Sequence, residues 1–494
     1  MRLSDASLAD LPPEVARPTY ERSAVSPGIV HVGVGGFHRS HQAVYVDRLL
    51  EAGATEWGIC GVGLLPPDRE MQAALAAQDH LYTVVERHPD GDVQARVIGS
   101  IVDFLYAPDD TEAVIEKMAA EATRIVSLTI TEGGYNLIGG DGEFDADAPA
   151  VTADLEPGAT PATVFGIVAE ALDRRRRRGL EPFTVVSCDN IEANGAVARR
   201  AIQGFAALRN DELAAWIEQR VAFPHSMVDR ITPVTTDADR EFLAERFGID
   251  DARPVTCEPY LQWVISDEFS AGRPDLEGVG VTVVDDVRPH ELMKLRLLNA
   301  SHQVMGYLGS LAGLTYVHDA AHDDDFAALV EGYMEHEGQP TLEPVPDVDF
   351  AAYRATLMQR FGNAHIADTL ARQCVDGSER LPKFLLPVLR AQLAAGGEID
   401  RAVLALAGWA RYAEGVDDEG RPLELVDVRH DEITTAAARQ DGDPAAMLSL
   451  SMFEGVRDDE RFVTVYVTAM QGLRDHGARA SVRELGDPLL SHGR

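Results

Sequence analysis

The sequence predicts a doubly wound α/β domain with a mainly parallel sheet, followed by a mostly α-helical domain. Three observations lead there. Apolar strand-like runs alternate with amphipathic stretches through the first half, one of those runs ends in a glycine turn, and after about residue 286 only alanine- and leucine-rich helical segments follow. The division falls between residues 1–285 and 286–494.

The first strand candidate is "IVHVGVGG" at 29–36, and "HRSHQAVYVDRLLEAG" behind it carries helical periodicity up to a glycine stop. "LYTVVERHPDGDVQARVIGSI" at 81–101 reads as a hairpin inserted in the sheet, turned by Pro89, Asp90 and Gly91. "RIVSLTITEGG" at 124–134, "FTVVSCDN" at 183–190 and "GVGVTVVDDV" at 278–287 are further buried-strand candidates. The helical half opens with "PHELMKLRLLNASHQVMGYLGSLAG" and continues through "DFAAYRATLMQRFGNAHIADTLARQ", "LLPVLRAQLAAGG" and "DRAVLALAGWARYAEG".

Composition excludes several classes. A net charge of −37 over 494 residues repels a phosphate backbone, so no nucleic-acid partner is expected. No apolar run approaches the roughly 20 residues of a membrane helix, and "MRLSDASLADLPPE" lacks the basic start and apolar middle of a signal peptide. The expectation is a cytoplasmic protein with no membrane partner. Cys60, Cys188, Cys257 and Cys374 are scattered, without zinc-site or disulfide spacing, and are expected to be reduced thiols.

The glycine turn is Gly33-Val34-Gly35-Gly36-Phe37-His38, with two glycines of a dinucleotide fingerprint and His38 where the third would stand. It reads either as a pyrophosphate cradle or as a plain strand–helix turn. Asp68, 33 residues past Gly35, ends the next strand candidate. Facing an adenosine ribose it would favour NAD over NADP; otherwise it caps a helix after Pro66 and Pro67.

Only three lysines, Lys117, Lys294 and Lys383, occur among 44 basic residues. Arginine stays protonated, whereas a lysine in a dry pocket can lose its proton and act as a base, so Lys294 is the first candidate for chemistry. Asn299 and His302 follow on the same predicted helix, about 140° and about 80° round from Lys294 at about 100° per residue, so all three can face one cleft. That is an unusual mixture for a face among Leu295, Leu297, Leu298 and Val304. Glu291, one turn earlier, is either a proton relay or a surface ion-pair partner. Asn190, at the carboxyl end of a parallel strand, either donates to an oxygen gaining charge or forms a turn. Arg174 to Arg178 read as the solvated end of a helix. His318 and His322 have metal-ligand spacing without a closed ligand set, and no metal is expected.

Taken together, "GVGGFHRSHQAVYVDRLL", "TEGGYN", "SCDNIEANG", "FPHSMVDRITP" and the spacing of Lys294, Asn299 and His302 resemble the polyol-specific long-chain dehydrogenase/reductase family, in order and over nearly the whole length. The stretch at 223–233 is the most specific. The resemblance implies a Rossmann-type first domain, a mostly helical second domain, NAD as cofactor, no catalytic zinc, and histidine in place of the third glycine. It implies Lys294 as catalytic base, Asn190 and Asn299 holding the reacting oxygen, and His302 orienting substrate. Gly33, Gly35, Gly36, Phe37, His38 and Asp68 would bind cofactor. Asp229 and Arg230 would shape the active site, and Arg372 and Arg380 would face substrate by loop position, with Lys383 able to share that role.

The implied reaction takes a secondary hydroxyl of a polyol to a ketose and back, mannitol to fructose being favoured, with fructuronate reduction and arabinitol oxidation as rivals. For lysine to be neutral near pH 8 its pKa must fall from about 10.4 by two units or more, about 3 kcal/mol. A nucleotide-binding regulator without chemistry is the rival of another class, and the intact lysine and asparagine set speaks against it. The partner implied is a small polyol or ketose, and the resemblance leans towards a monomer.

Overall fold

The computed structural model describes residues 1–138 and 142–486. The chain divides into two compact units, Met1–Arg288 and Pro289–Arg494.

In the first unit five strands form a parallel sheet: β1 (Pro27–Val32), β2 (Gly58–Gly63), β3 (Ile101–Tyr106), β4 (Ile125–Leu128) and β5 (Thr184–Ser187). Their spatial order is β3-β2-β1-β4-β5. Both faces are covered, and the two-residue period of the strands sorts their side chains. Val30, Val32, Cys60, Val62, Val126 and Val185 join one core with the helices Thr111–Ala119 and Val164–Arg178. Ile29, Ile59, Ile125 and Val186 join another with α2 (Gln42–Glu51), which follows α1 (Gly36–Ser40). Val32 is level with both Val62 and Leu128, so the carboxyl ends of β2, β1 and β4 open at one edge, where the strand order reverses. That edge is where open α/β sheets take ligands.

Two of the expected strands differ. The hairpin forms, Tyr82–Arg87 against Val93–Ile98 with Gly91 at φ +89°, but it is no insertion in the main sheet. It belongs to a separate four-stranded sheet, completed by Val15–Ala16 and Val255–Cys257. From the stretch at 278–287 only Thr282–Val284 is extended, and it is a partly exposed edge strand of a three-stranded sheet with Gln262–Ser266 and Ser226–Asp229. Local β-propensity gives extended backbone but not the partner.

The arginine run also departs from a purely solvated helix end. Its helix stops at Gly179 in the left-handed region, as expected, but Arg175 is buried and donates to the carbonyls of Ala120, Thr123 and Glu181 at 2.6–2.7 Å. Arg174 pairs with Glu112, Glu116 and Glu170.

The second unit has no strand among its described residues. Its centre is the helix Ala300–Leu311, every residue of which is buried, packed against Asp400–Tyr412 and the helical segment Glu460–Gly486, which Gly477 interrupts. A helix buried on all sides needs such a jacket. All four cysteines are buried and free.

Candidate functional site

The glycine turn begins directly at the end of β1. Gly33 donates to the Val62 carbonyl at 3.1 Å with φ +94°, and a Cβ there would meet the Thr129 carbonyl oxygen at 2.1 Å. No other residue fits that position. At Gly35 and Gly36 the situation is reversed: beyond the adjoining backbone, the nearest atoms of the described residues that a Cβ would meet are Gly33 O at 3.9 Å and Thr232 Cγ2 at 3.8 Å. Their bareness serves nothing inside the fold, and it leaves the backbone at the start of α1 open to close approach by a ligand.

His38, at the third-glycine place, lies flat on His31 of β1, with ring centroids 3.4 Å apart and planes 9° apart. A flat ring on a flat ring gives the helix its close seat on the strand, the task a third glycine performs elsewhere. His31 is further bound to Ser127 Oγ at 2.8 Å and to Thr129 Oγ1 at 3.0 Å. Burial lowers the pKa of His31 to about 3, and that of His38 well below its ordinary value, so both are neutral. Phe37 stacks on His41 at 4.9 Å.

Asp68 begins the helix Asp68–Ala76 at the end of β2. Its Oδ2 accepts from the Leu64 and Leu65 N–H groups at 2.9 and 2.8 Å, so it ties the loop it follows rather than capping the helix it starts. The bare Gly63 lets it fold back over the strand end, where a Cβ would meet Asp68 Cβ at 2.5 Å.

Asn190 lies three residues beyond β5, half-buried, in a loop fixed by its neighbours. Asp189 accepts from the Ile130 and Thr131 N–H groups at 3.1 and 2.8 Å and from the Tyr135 hydroxyl at 2.7 Å. It thereby holds "TEGGYN" against "SCDN", with Thr131 at φ +65°, ψ 168°, a conformation costly for a β-branched residue. Sequence reasoning passed over Asp189; its acidic side chain inside an otherwise buried run was the available signal. Asn194 locks the next motif, donating to the Ser226 carbonyl at 2.7 Å and accepting from Ser226 N–H at 3.0 Å. Three of the quoted stretches are thus one hydrogen-bonded unit.

Asp229 ends the strand Ser226–Asp229 and is buried, as is Arg230. The Arg230 guanidinium is engaged structurally: Nε donates to the Glu258 carbonyl at 2.9 Å, Nη1 to the Ser40 carbonyl at 2.7 Å, and Nη2 to Glu86. It joins the signature strand to the end of α1.

Lys294, Asn299 and His302 do share one continuous helical run, but not the regular α-helix expected. Arg288–Met293 is α-helical, Lys294–Asn299 is a π turn, and Ala300–Leu311 is α-helical again. The Ala300 N–H reaches back five residues to the Leu295 carbonyl. This looser turn brings Asn299 round to within about 50° of Lys294, instead of about 140°, and His302 to within about 10–20°. Lys294 and His302 are 7% and 6% exposed, buried despite their polarity, as is Glu291. His302 packs on Phe361 at 4.9 Å. Asn299 Oδ1 is buried with no hydrogen-bond partner among the described residues, an acceptor that a ligand hydroxyl would satisfy.

The segment "ARQCVDGSER" is not a loop; it forms the helices Leu370–Cys374 and Gly377–Phe384. The Arg372 guanidinium grips Asp368 with two bonds of 2.7 Å, and Arg380 donates to the carbonyls of Arg372 and Gln373 at 3.2 and 3.3 Å. Lys383 reaches Glu379 at 3.5 Å. His318 stacks on Tyr316, and no group of three or more His, Cys, Asp or Glu that could hold a metal ion occurs among the described residues. No described helix is long and apolar enough to cross a membrane.

The strand order, the bare glycine turn and the acid at the next strand's end define a dinucleotide-binding dehydrogenase fold joined to a helical domain carrying a lysine, an asparagine and a histidine on one face. The chain belongs to the mannitol dehydrogenase family: residues 27–278 match the model of the mannitol dehydrogenase Rossmann domain, and residues 286–474 that of the C-terminal domain. Among its relatives, mannitol 2-dehydrogenase of Aspergillus fumigatus is 47% identical over 469 residues, 93% of each chain. Mannitol dehydrogenase 2 of Saccharomyces cerevisiae is 46% identical over 477 residues, covering 96% of this chain and 95% of that one. Of solved structures, Pseudomonas fluorescens mannitol 2-dehydrogenase in ternary complex with NAD and D-mannitol superposes with a TM-score of 0.91 at 45% identity, over 98% of this chain and 99% of that one. A D-sorbitol dehydrogenase gives 0.90 at 37% identity, over 98% of this chain and all of that one.

Proposed function

We propose that this chain is an NAD-dependent polyol dehydrogenase that oxidises D-mannitol to D-fructose and reduces D-fructose in return, with Lys294 as general base and acid and without zinc. The observation that carries the reading is the π turn that sets Lys294, Asn299 and His302 on one face of a buried helix. It is supported by the similarity to a mannitol 2-dehydrogenase solved with NAD and D-mannitol.

The bare backbone at Gly35 and Gly36 supports a pyrophosphate site, with Gly33, Phe37 and His38 shaping the turn, and on the family resemblance Asp68, which follows β2, accepts from a ribose hydroxyl. When bound, NAD supplies the hydride acceptor. Lys294 Nζ takes the proton of the secondary hydroxyl as the carbon loses hydride, and returns it to the carbonyl oxygen in the reverse direction. The amides of Asn299 and Asn190 donate to the oxygen as negative charge builds on it; these donors replace a metal as the electrophile. His302 orients a neighbouring hydroxyl, and Asp229, Arg372 and Arg380 serve substrate binding on the family resemblance. On the same resemblance the protein acts as a monomer.

The test is NADH formation at 340 nm with D-mannitol, D-arabinitol, D-sorbitol and D-mannonate, NADP+ being the cofactor control. Turnover of D-mannitol with NAD+ but not of D-mannonate supports the reading. Turnover of D-mannonate alone replaces it with sugar-acid chemistry, and NAD+ binding with no turnover of any of the four replaces it with a regulator.

A further inference from the structure

The second unit contains another π turn, Tyr333–Gly338, which follows the helix Asp324–Gly332 and packs on the first. Its geometry repeats the first: the Gln339 N–H reaches back five residues to the Met334 carbonyl. The two turns meet at one atom, the Arg296 carbonyl oxygen. In an α-helix that oxygen would take the Ala300 N–H, but the π turn spends this donor on Leu295. The Tyr333 hydroxyl, wholly buried, donates to the Arg296 carbonyl at 3.1 Å.

The far end of the second turn closes the same contact. A Cβ on Gly338 would meet Arg296 O at 3.1 Å and Leu297 Cδ2 at 2.9 Å, so glycine is what lets the two backbones lie this close. Beyond it the Arg296 guanidinium donates to the Thr341 carbonyl at 2.5 Å, and the Thr341 hydroxyl to the Gly338 carbonyl at 2.6 Å. Residues 333–341 therefore wrap the residue in the lysine's turn whose carbonyl the Ala300 N–H would reach in an α-helix.

We infer that Tyr333 is a positioning residue for the reaction: by supplying a donor to the Arg296 carbonyl it holds the π register that sets Lys294 on the same face as Asn299 and His302. Without it, the helix gains by returning Ala300 N–H to Arg296, which rotates Lys294 by about 100° relative to Asn299 and His302. The inference rests on the reading of Lys294 as the base.

The experiment is a cycle in the full chain of Tyr333→Phe, Lys294→Ala and the double variant, with Gly338→Ala as a second probe of the contact. It measures kcat and KM for D-mannitol, the pH profile of kcat, NADH binding by fluorescence, and Tm. Tyr333→Phe removes only a hydroxyl. It is expected to lower kcat on the order of tenfold to a hundredfold, to displace the pH profile, to leave NADH affinity unchanged, and to add no further loss in the Lys294→Ala background. Gly338→Ala is expected to act in the same direction. An unchanged kcat and pH profile in Tyr333→Phe, or an equal loss in both backgrounds, overturns the inference alone. Near-normal turnover by Lys294→Ala overturns the lysine reading itself, whatever Tyr333→Phe does.

Discussion

His31 of β1 and His38 of α1 lie face to face with their ring centroids 3.4 Å apart, directly beneath the glycine turn. Neither ring can carry a proton there without placing a cation against its neighbour in a dry site. Both folded-state pKa values lie below the ordinary 6.5, that of His31 at about 3, with burial as the first cause. The unfolded chain therefore binds protons that the native one does not as pH falls below about 6.5. Stability from this pair is present above that pH and is lost on acidification. A group that binds one more proton unfolded than folded contributes a slope that approaches about 1.4 kcal/mol per pH unit well below 6.5. His38→Phe keeps a flat ring without a titratable group, and denaturant unfolding from pH 8 to 5 should show the variant gaining on the parent as pH drops. A parent–variant difference independent of pH would contradict this.

Asp68 separates charge from scaffold. Its Oδ2 holds the Leu64 and Leu65 N–H groups, so Asp68→Asn keeps an acceptor for the loop while removing the negative charge. If the carboxylate repels a 2′-phosphate, the ratio of kcat/KM for NAD+ over NADP+ should fall by about tenfold or more, since two unit charges a few ångströms apart interact at the level of kcal/mol. An unchanged ratio would reduce Asp68 to a loop tie.

Arg372 poses a choice between fold and substrate. Its two bonds to Asp368 leave the guanidinium oriented; the arginine side chain is 43% exposed, but the carboxylate it grips is buried. Arg372→Ala should raise KM for D-mannitol by about tenfold, roughly one charge-assisted hydrogen bond, with a smaller change in kcat, and should lower Tm as well because the buried Asp368 loses two of its bonds. A lower Tm with KM unmoved would show that Arg372 serves only the helix pair.

Most of the parallel sheet was legible because its strands are short, apolar on both faces and closed by glycine or polar residues, a pattern local to each run; β3 was not, because Asp103 and its half-buried neighbours break that pattern. The helical second unit was legible for the same reason, its segments carrying period and punctuation in plain sequence. Partnership was not. The hairpin's sheet is completed by Val15–Ala16 and by Val255–Cys257, about 80 and 170 residues away in the chain, and nothing in "LYTVVERHP" names them. Asp189 and Asn194 likewise show their worth only through Thr131 and Ser226. The candidate site was legible as residue types, lysine by its scarcity above all. Its geometry was legible only in part: the spacing lets all three face one cleft, but α-helical periodicity spreads Lys294, Asn299 and His302 over some 140°. Only the π turn, sustained by the distant Tyr333 and Gly338, gathers them, and the five-residue step from Lys294 to Asn299 was its one trace in the sequence.

The claim that Lys294 moves the proton is tested most directly by the steady-state rate of NADH formation from D-mannitol in Lys294→Ala beside the parent protein, with NADH binding to each measured by fluorescence. The account predicts a kcat lower by about three orders of magnitude or more at undiminished NADH affinity, because the hydroxyl loses its base while the nucleotide domain is untouched. Turnover within tenfold of the parent would contradict it.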